Sequence, residues 1–154
     1  MTDPISFVSS TPRLALPLLF AGQTQKEYTV NEAIARIDAV LHPAIEGEAG
    51  GPPASPAEGE CWLVGDSPSG AWAGHAGELA CFSLGTWLFV EPCDGIRVLN
   101  RLTGQLRLRR YGGWASAGTP TAPSGGTTVD VEARTAITGL IAALADSGIL
   151  PAAG

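Results

Sequence analysis

The sequence predicts an α+β chain: an extended N-terminal arm and helix, a small antiparallel β module built of hairpins, and a C-terminal oligomerising helix. Three observations carry this prediction. Within residues 14–41 an apolar extended run passes into a helical stripe; over 60–114 short apolar runs alternate with turn signals; and over 133–144 apolar residues recur at 4-3-4 spacing.

Residues 1–28 form the predicted docking arm. Pro4, Pro12 and Pro17 interrupt regular structure, while Leu14, Leu16, Leu18, Leu19 and Phe20 make the run apolar. Such an arm is expected to lie across a partner rather than fold on itself. Beyond Ala21-Gly22 stand Gln23, Gln25, Lys26 and Glu27. Four long polar side chains beside an apolar run are more than a helix entry requires, and they read as contacts that fix register between subunits. The packing helix is predicted over 29–42. Thr29 and Glu32 have capping-box spacing, and Val30, Ala33, Ile34, Ile37, Val40 and Leu41 form one apolar stripe. Leu18, Phe20, Gln23, Gln25, Lys26, Glu27 and Asn31 are the candidate interface residues of this region.

Residues 43–114 form the β-rich module, entered through a loop over 43–59 that contains Gly50-Gly51-Pro52-Pro53. Strands are expected at Cys61–Val64, Leu79–Phe82, Thr86–Val90, Ile96–Leu99 and Leu106–Leu108, each bounded by Gly, Pro or Asp. A short internal repeat runs through it: Leu84-Gly85-Thr86-Trp87 matches Tyr111-Gly112-Gly113-Trp114, each after a strand. The glycine suits a turn with positive φ, and the two copies read as successive hairpins of one small sheet. Trp62, Trp72, Trp87 and Trp114 are expected mainly as core, with Trp72 and Trp114, beside glycine-rich turns, as candidates for stacking on a sugar. Arg97, Arg101, Arg107, Arg109 and Arg110 are five of the nine basic residues. They read either as a solvated hairpin face or as a contact to an acidic subunit or anionic polysaccharide, with Arg107 and Arg109 as the named candidates.

Residues 115–128 have linker composition and, if flexible, would span about 20 Å. The C-terminal helix and tail occupy 129–154. Asp130 or Thr128 would cap the helix, Ile137, Leu140, Ile141 and Leu144 form its stripe, and Gly148 and Pro151 end it. A helix this short is not stable alone in water, so it must pack on its own domain or on copies of itself; beyond a linker, self-association as a trimer or pentamer is the expectation.

The net charge of −6 disfavours a general nucleic-acid binder. No run approaches the roughly 20 apolar residues of a membrane span, and the opening residues lack the pattern of a signal peptide, so a soluble protein made in the cytoplasm is expected. Cys61, Cys81 and Cys93 have no metal-ligand spacing and are expected to be reduced strand residues. No catalytic, metal or cofactor constellation emerges: Gly65-Asp66-Ser67-Pro68-Ser69 is not a nucleophile elbow, His75 has no evident partner, and nothing pairs Glu58, Glu60 or Glu91 as a glycosidase would need.

The run Leu16-Pro17-Leu18-Leu19-Phe20-Ala21-Gly22-Gln23-Thr24-Gln25-Lys26-Glu27, with Asn31-Glu32-Ala33, is similar to the opening of the domain-of-unknown-function 2793 family of alphaproteobacterial prophages and gene transfer agents. Pro53-Ala54-Ser55-Pro56-Ala57-Glu58-Gly59 and Gly70-Ala71-Trp72-Ala73-Gly74-His75-Ala76-Gly77 resemble it too, and the resemblance covers roughly residues 11–115. It brings no catalytic residues. It implies a non-enzymatic virion component, assembled in the bacterial cytoplasm: a head spike or fibre base that contacts capsid or tail proteins and a fibre subunit. The alternatives are a glycan-binding adhesion module for host capsular polysaccharide, a tail-tip fibre component or, less well supported, a polysaccharide hydrolase. No cofactor, nucleic acid or membrane is expected.

Overall fold

A computed structural model of the chain describes residues 9–19 and 26–151. The fold is α+β, and the chain divides after Pro92 into two compact units, a boundary that falls inside the stretch read as one β module. The first unit contains α1 (Lys26–Val40), β1 (Ala44–Ile45), β2 (Glu48–Ala49), β3 (Cys61–Val64), β4 (Leu79–Ser83) and β5 (Thr86–Val90). The second contains β6 (Arg97–Asn100), β7 (Gln105–Arg110), β8 (Gly113–Ala115) and α2 (Val131–Asp146).

In the first unit β2, β3, β4 and β5 are neighbours in that order, and β2 runs parallel to β3 while the other pairs are antiparallel. The sheet is therefore mixed, not purely antiparallel. The strands β1 and β2 lie in the stretch expected to be loop; two residues are too few to show an alternating pattern. Directly opposed residues share a face of an antiparallel sheet. The register Trp62↔Ala80↔Phe89 and Phe82↔Trp87 thus builds an aromatic face, and Cys61↔Cys81↔Leu88 with Leu63↔Leu79↔Val90 builds the other. Trp72, on a single 3₁₀ turn at Gly70–Trp72, is fully buried against Val64 and Ala80. It meets Trp87 edge-on at 5.1 Å and Trp62 at 6.5 Å. This aromatic cluster is one part of the unit's core; Ile45, Leu63 and Leu79 are equally buried.

α1 begins at Lys26, three residues before the expected start, so Thr29 and Glu32 lie inside it and form no capping box. Its buried face also differs from the expected one. Glu27, Asp38 and Ala39 are buried, whereas Val30, Ile37 and Leu41 of the apolar stripe are exposed. Two residues beyond the helix stands His42, a non-glycine residue in the left-handed region at φ 50°.

In the second unit β6, β7 and β8 form an antiparallel meander in a different sheet from β4 and β5, so the two repeat copies are hairpins of separate sheets. α2 is capped as expected: the Asp130 carboxylate accepts from the Ala133 N–H at 2.8 Å. Gly148, at φ 72°, stops it, and a Cβ there would meet the Gly104 carbonyl at 3.1 Å. The chain after α2 is tied to the start of β7. Leu106 N–H donates to the Gly148 carbonyl at 2.7 Å, Gln105 Nε2 donates to the Ile149 carbonyl at 3.1 Å, and Leu150 is buried. The linker is held at both ends as well, by Gln105 Nε2 on the Ala117 carbonyl at 2.6 Å and by Arg134 on the Gly125 carbonyl.

Candidate functional site

Three features come from the candidate residues: the junction of arm and helix, the hairpin tips with their arginines, and the face of α2. At the junction, residues 9–19 do not lie extended. Ser10 bridges Pro17, Thr11 N–H donates to the Leu16 carbonyl at 2.9 Å, and the chain turns back between them. This corrects the expectation of an arm that does not fold on itself. The reason is a buried carboxylate on α1. Asp38 accepts from the Thr11 hydroxyl and the Leu14 N–H, both at 2.7 Å, and from the Arg13 N–H at 3.1 Å. The Arg13 guanidinium then donates to the carbonyls of Asp38, Ala39 (2.9 Å) and His42 (3.0 Å). A cation on the last carbonyls of a helix satisfies orphan acceptors and opposes the negative end of the dipole.

Two turns earlier the same helix meets the arm again. Asn31 accepts from the Leu19 N–H at 2.9 Å and donates to the Leu19 carbonyl at 3.1 Å, as a neighbouring strand would. Leu18 and Glu27 are buried. Thus Leu18 and Asn31 belong to an internal junction of arm and helix, and Glu27 is buried rather than displayed for a partner. Phe20, Gln23 and Gln25 lie outside the described residues, and of Lys26 only the backbone is described. Sequence reading missed Arg13 and Asp38. The available signal was a carboxylate between Ile37 and Ala39-Val40, with one arginine in an otherwise uncharged stretch.

The repeat resolves into two strained turns. Ser83↔Thr86 and Arg110↔Gly113 flank two-residue loops, Leu84-Gly85 and Tyr111-Gly112, with φ of 53° and 76°, and of 52° and 70°. Such turns favour Asn-Gly, and a bulky residue in the left-handed region costs about 1 kcal/mol or more. Each turn is supported by a carboxylate from an earlier loop. Glu58 accepts from the N–H groups of Leu84 (2.8 Å) and Gly85 (2.7 Å), and Asp94 accepts from the Gly112 N–H at 3.2 Å. Glu58, considered above as half of a carboxylate pair, is occupied in this way. The residues displayed at the tips are Leu84 and Tyr111, the latter 94% exposed.

Register also sorts the arginines. Arg107 and Arg109 share a face with Trp114, whereas Arg97 and Arg110 share the opposite face with Leu106, Leu108 and Ala115. On the first, the Arg109 guanidinium lies 5.9 Å from the centre of the Trp114 ring. On the second, a groove of about 360 Å³ runs between Arg97, Arg110, Leu108 and Ile149. Trp72, being fully buried, is withdrawn as a sugar contact, because stacking needs an exposed ring face. Cys61 and Cys81 are buried, unlinked strand residues, whereas Cys93 is exposed and lies outside the strands. Among the described residues no cluster of His, Cys, Asp and Glu has the arrangement of a metal site, and no helix is long and apolar enough to cross a membrane.

α2 buries none of its residues in this chain. Ile137, Leu140 and Leu144 are exposed and Ile141 is half-buried, so the four predicted oligomerisation residues form one outward stripe.

A family model described as "Protein of unknown function (DUF2793)" matches residues 30–115, more than half of the chain. The match opens inside α1 and closes with β8, leaving outside it the arm, where the resemblance was expected to begin, and α2. No curated protein and no solved structure matches the chain.

Proposed function

The chain belongs to the DUF2793 family, and on that footing we propose that it is a non-enzymatic structural subunit of a phage-like particle, a gene transfer agent or prophage, serving as a head spike or fibre base. The observation that carries the reading is a pair of uncovered apolar stripes. On α2 they are Ile137, Leu140 and Leu144; on α1, Val30, Ile37 and Leu41 are uncovered by the described residues. A 16-residue helix is marginal alone, and apolar side chains at this spacing are usually covered. The α2 stripe is assigned to copies of the same chain around a symmetry axis, as three or five helices. The α1 stripe is assigned to capsid or tail proteins of the particle, with a fibre subunit as the further partner. Such division suits an adaptor: one face builds the oligomer, another docks it.

Leu140→Asp should therefore turn an oligomer into a monomer at micromolar concentration, read by light scattering behind size exclusion. Placing a charge where a leucine is buried removes about 2–3 kcal/mol at each contact, on the order of a hundredfold in affinity. A wild-type chain that is itself monomeric at 100 μM would end the self-association reading. The particle reading is tested by quantitative mass spectrometry of nuclease-treated, gradient-purified particles. A fixed copy number is expected, and its ratio to capsid protein separates vertex spikes from a single tail tip. Absence would favour the second reading, a free glycan-binding module, whose support is the Arg109–Trp114 pair beside the exposed Tyr111.

A further inference from the structure

We propose that Cys61 and Cys81 are a modification site, a dithiol that closes to an intramolecular disulfide when the chain meets a small disulfide oxidant such as oxidised glutathione. The two residues are direct partners in the β3–β4 register. Both are buried and neither is in a disulfide. Their position on the ladder matters. Phe82 N–H donates to the Glu60 carbonyl and Val64 N–H to the Glu78 carbonyl, at 2.8 and 3.0 Å. Counting inward from either bond makes Cys61 and Cys81 a non-hydrogen-bonded pair, the kind whose Cα atoms stand about 4.5 Å apart with side chains closest. That separation lies inside the range a disulfide bridges, about 4.4–6.8 Å, so closure needs no strand to shift.

The resting state is the dithiol. The Cys81 thiol is pushed far up from its ordinary value, first by its hydrogen bond with Cys61 and then by burial, which keeps it protonated. In a reducing cytoplasm such a pair stays open. On oxidation, the Cys61 thiolate attacks one sulfur of the oxidant and a first thiolate leaves; the Cys81 sulfur then attacks the Cys61 sulfur of the mixed disulfide and a second leaves. Two protein S–H bonds are replaced by one S–S bond, and the oxidant's S–S bond becomes two S–H bonds, taking up both protons and both electrons. The loop closed by this bond contains the 3₁₀ turn that holds Trp72, so closure ties the core residue's own loop to the sheet. The inference does not depend on the particle reading.

The test uses the full chain carrying Cys93→Ser, which removes an exposed thiol outside the pair. It is refolded by dilution from guanidinium into excess oxidised glutathione, so that burial does not limit access. Non-reducing peptide mapping should find Cys61 linked to Cys81 in most folded molecules, with alkylatable thiols falling from two to none and dithiothreitol restoring both. Folded molecules that keep two alkylatable thiols, that carry glutathione on either cysteine, or that are linked between chains would overturn the proposal. So would a chain that regains its native circular dichroism only in reductant, since the disulfide would then be incompatible with the register.

Discussion

Trp72→Ala should lower the free energy of unfolding of the first unit by about 4 kcal/mol, the middle of the range for a large aromatic removed from a packed core. The ring is fully buried, and its neighbours Trp62, Trp87, Val64 and Ala80 sit on strands whose pairing holds them in place. They cannot collapse far into the space, so the lost contacts and the cavity both count. Trp72→Phe separates two contributions. It keeps most of the ring volume and removes an indole N–H that is buried without a hydrogen-bond partner among the described residues. Losing that unsatisfied donor returns about 1–2 kcal/mol against a similar packing loss, so the phenylalanine variant should fall within about 1 kcal/mol of the parent. Urea titration followed by far-UV circular dichroism gives both numbers. Equal, large losses for the two variants would show that the indole N–H is satisfied and that shape alone is being measured.

The elements legible in the sequence are those with a long enough pattern. β3, β4 and β5 alternate or run apolar over four or five residues, so their bounds agree with expectation within one residue, and α2 lies between the cap at Asp130 and the glycine stop at Gly148 that its 4-3-4 stripe called for. The two-residue strands have no period to read. α1 is the instructive failure. Its apolar residues do recur at helical spacing, but its inward face is chosen by the hydrogen-bonding demand of the arm: Asp38 takes the donors of the turn at 11–14 and Asn31 pairs with the backbone of Leu19, which a leucine could not do. A hydropathy pattern ranks faces by apolar content, so a face buried for polar reasons is invisible to it. The repeat was legible as two turns but not as members of two sheets, because local spacing fixes a hairpin and says nothing about its outer neighbours. The arginines were legible as a group; their division between two faces depends on hairpin register, which Tyr111-Gly112 sets through a two-residue loop.

Asp38→Ala should cost about 3 kcal/mol, and its effect should be local as well as large. Surface charge substitutions supply the comparison: the exposed Arg36–Glu32 pair, at 2.9 Å and four residues apart, contributes only about 0.3–0.5 kcal/mol. Asp38 differs because it is 3% exposed and serves three donors at once. Its removal strands two backbone N–H groups and a hydroxyl, and each orphaned group costs about 1–3 kcal/mol unless the loop opens to water. Opening is the cheaper outcome, and it caps the loss below the full sum. It also carries Arg13 away from the carbonyls of Ala39 and His42, so the last turn of α1 loses its cation and frays. Hydrogen exchange should show this directly. The Leu14 and Arg13 amides should lose protection by at least tenfold together with Leu41, whose N–H bonds to Ile37, while the β3–β4 amides change only as far as global stability falls. Asp38→Asn is the more discriminating variant. Its one remaining acceptor oxygen can still receive Thr11 and Leu14, but its amide presents donors to the Arg13 N–H, so the loss should be about 2 kcal/mol with Leu14 still protected. If both variants left exchange at residues 11–14 unchanged, the turn would be held by the Ser10–Pro17 bridge and its own backbone bonds, and the buried carboxylate would be a passenger in the junction.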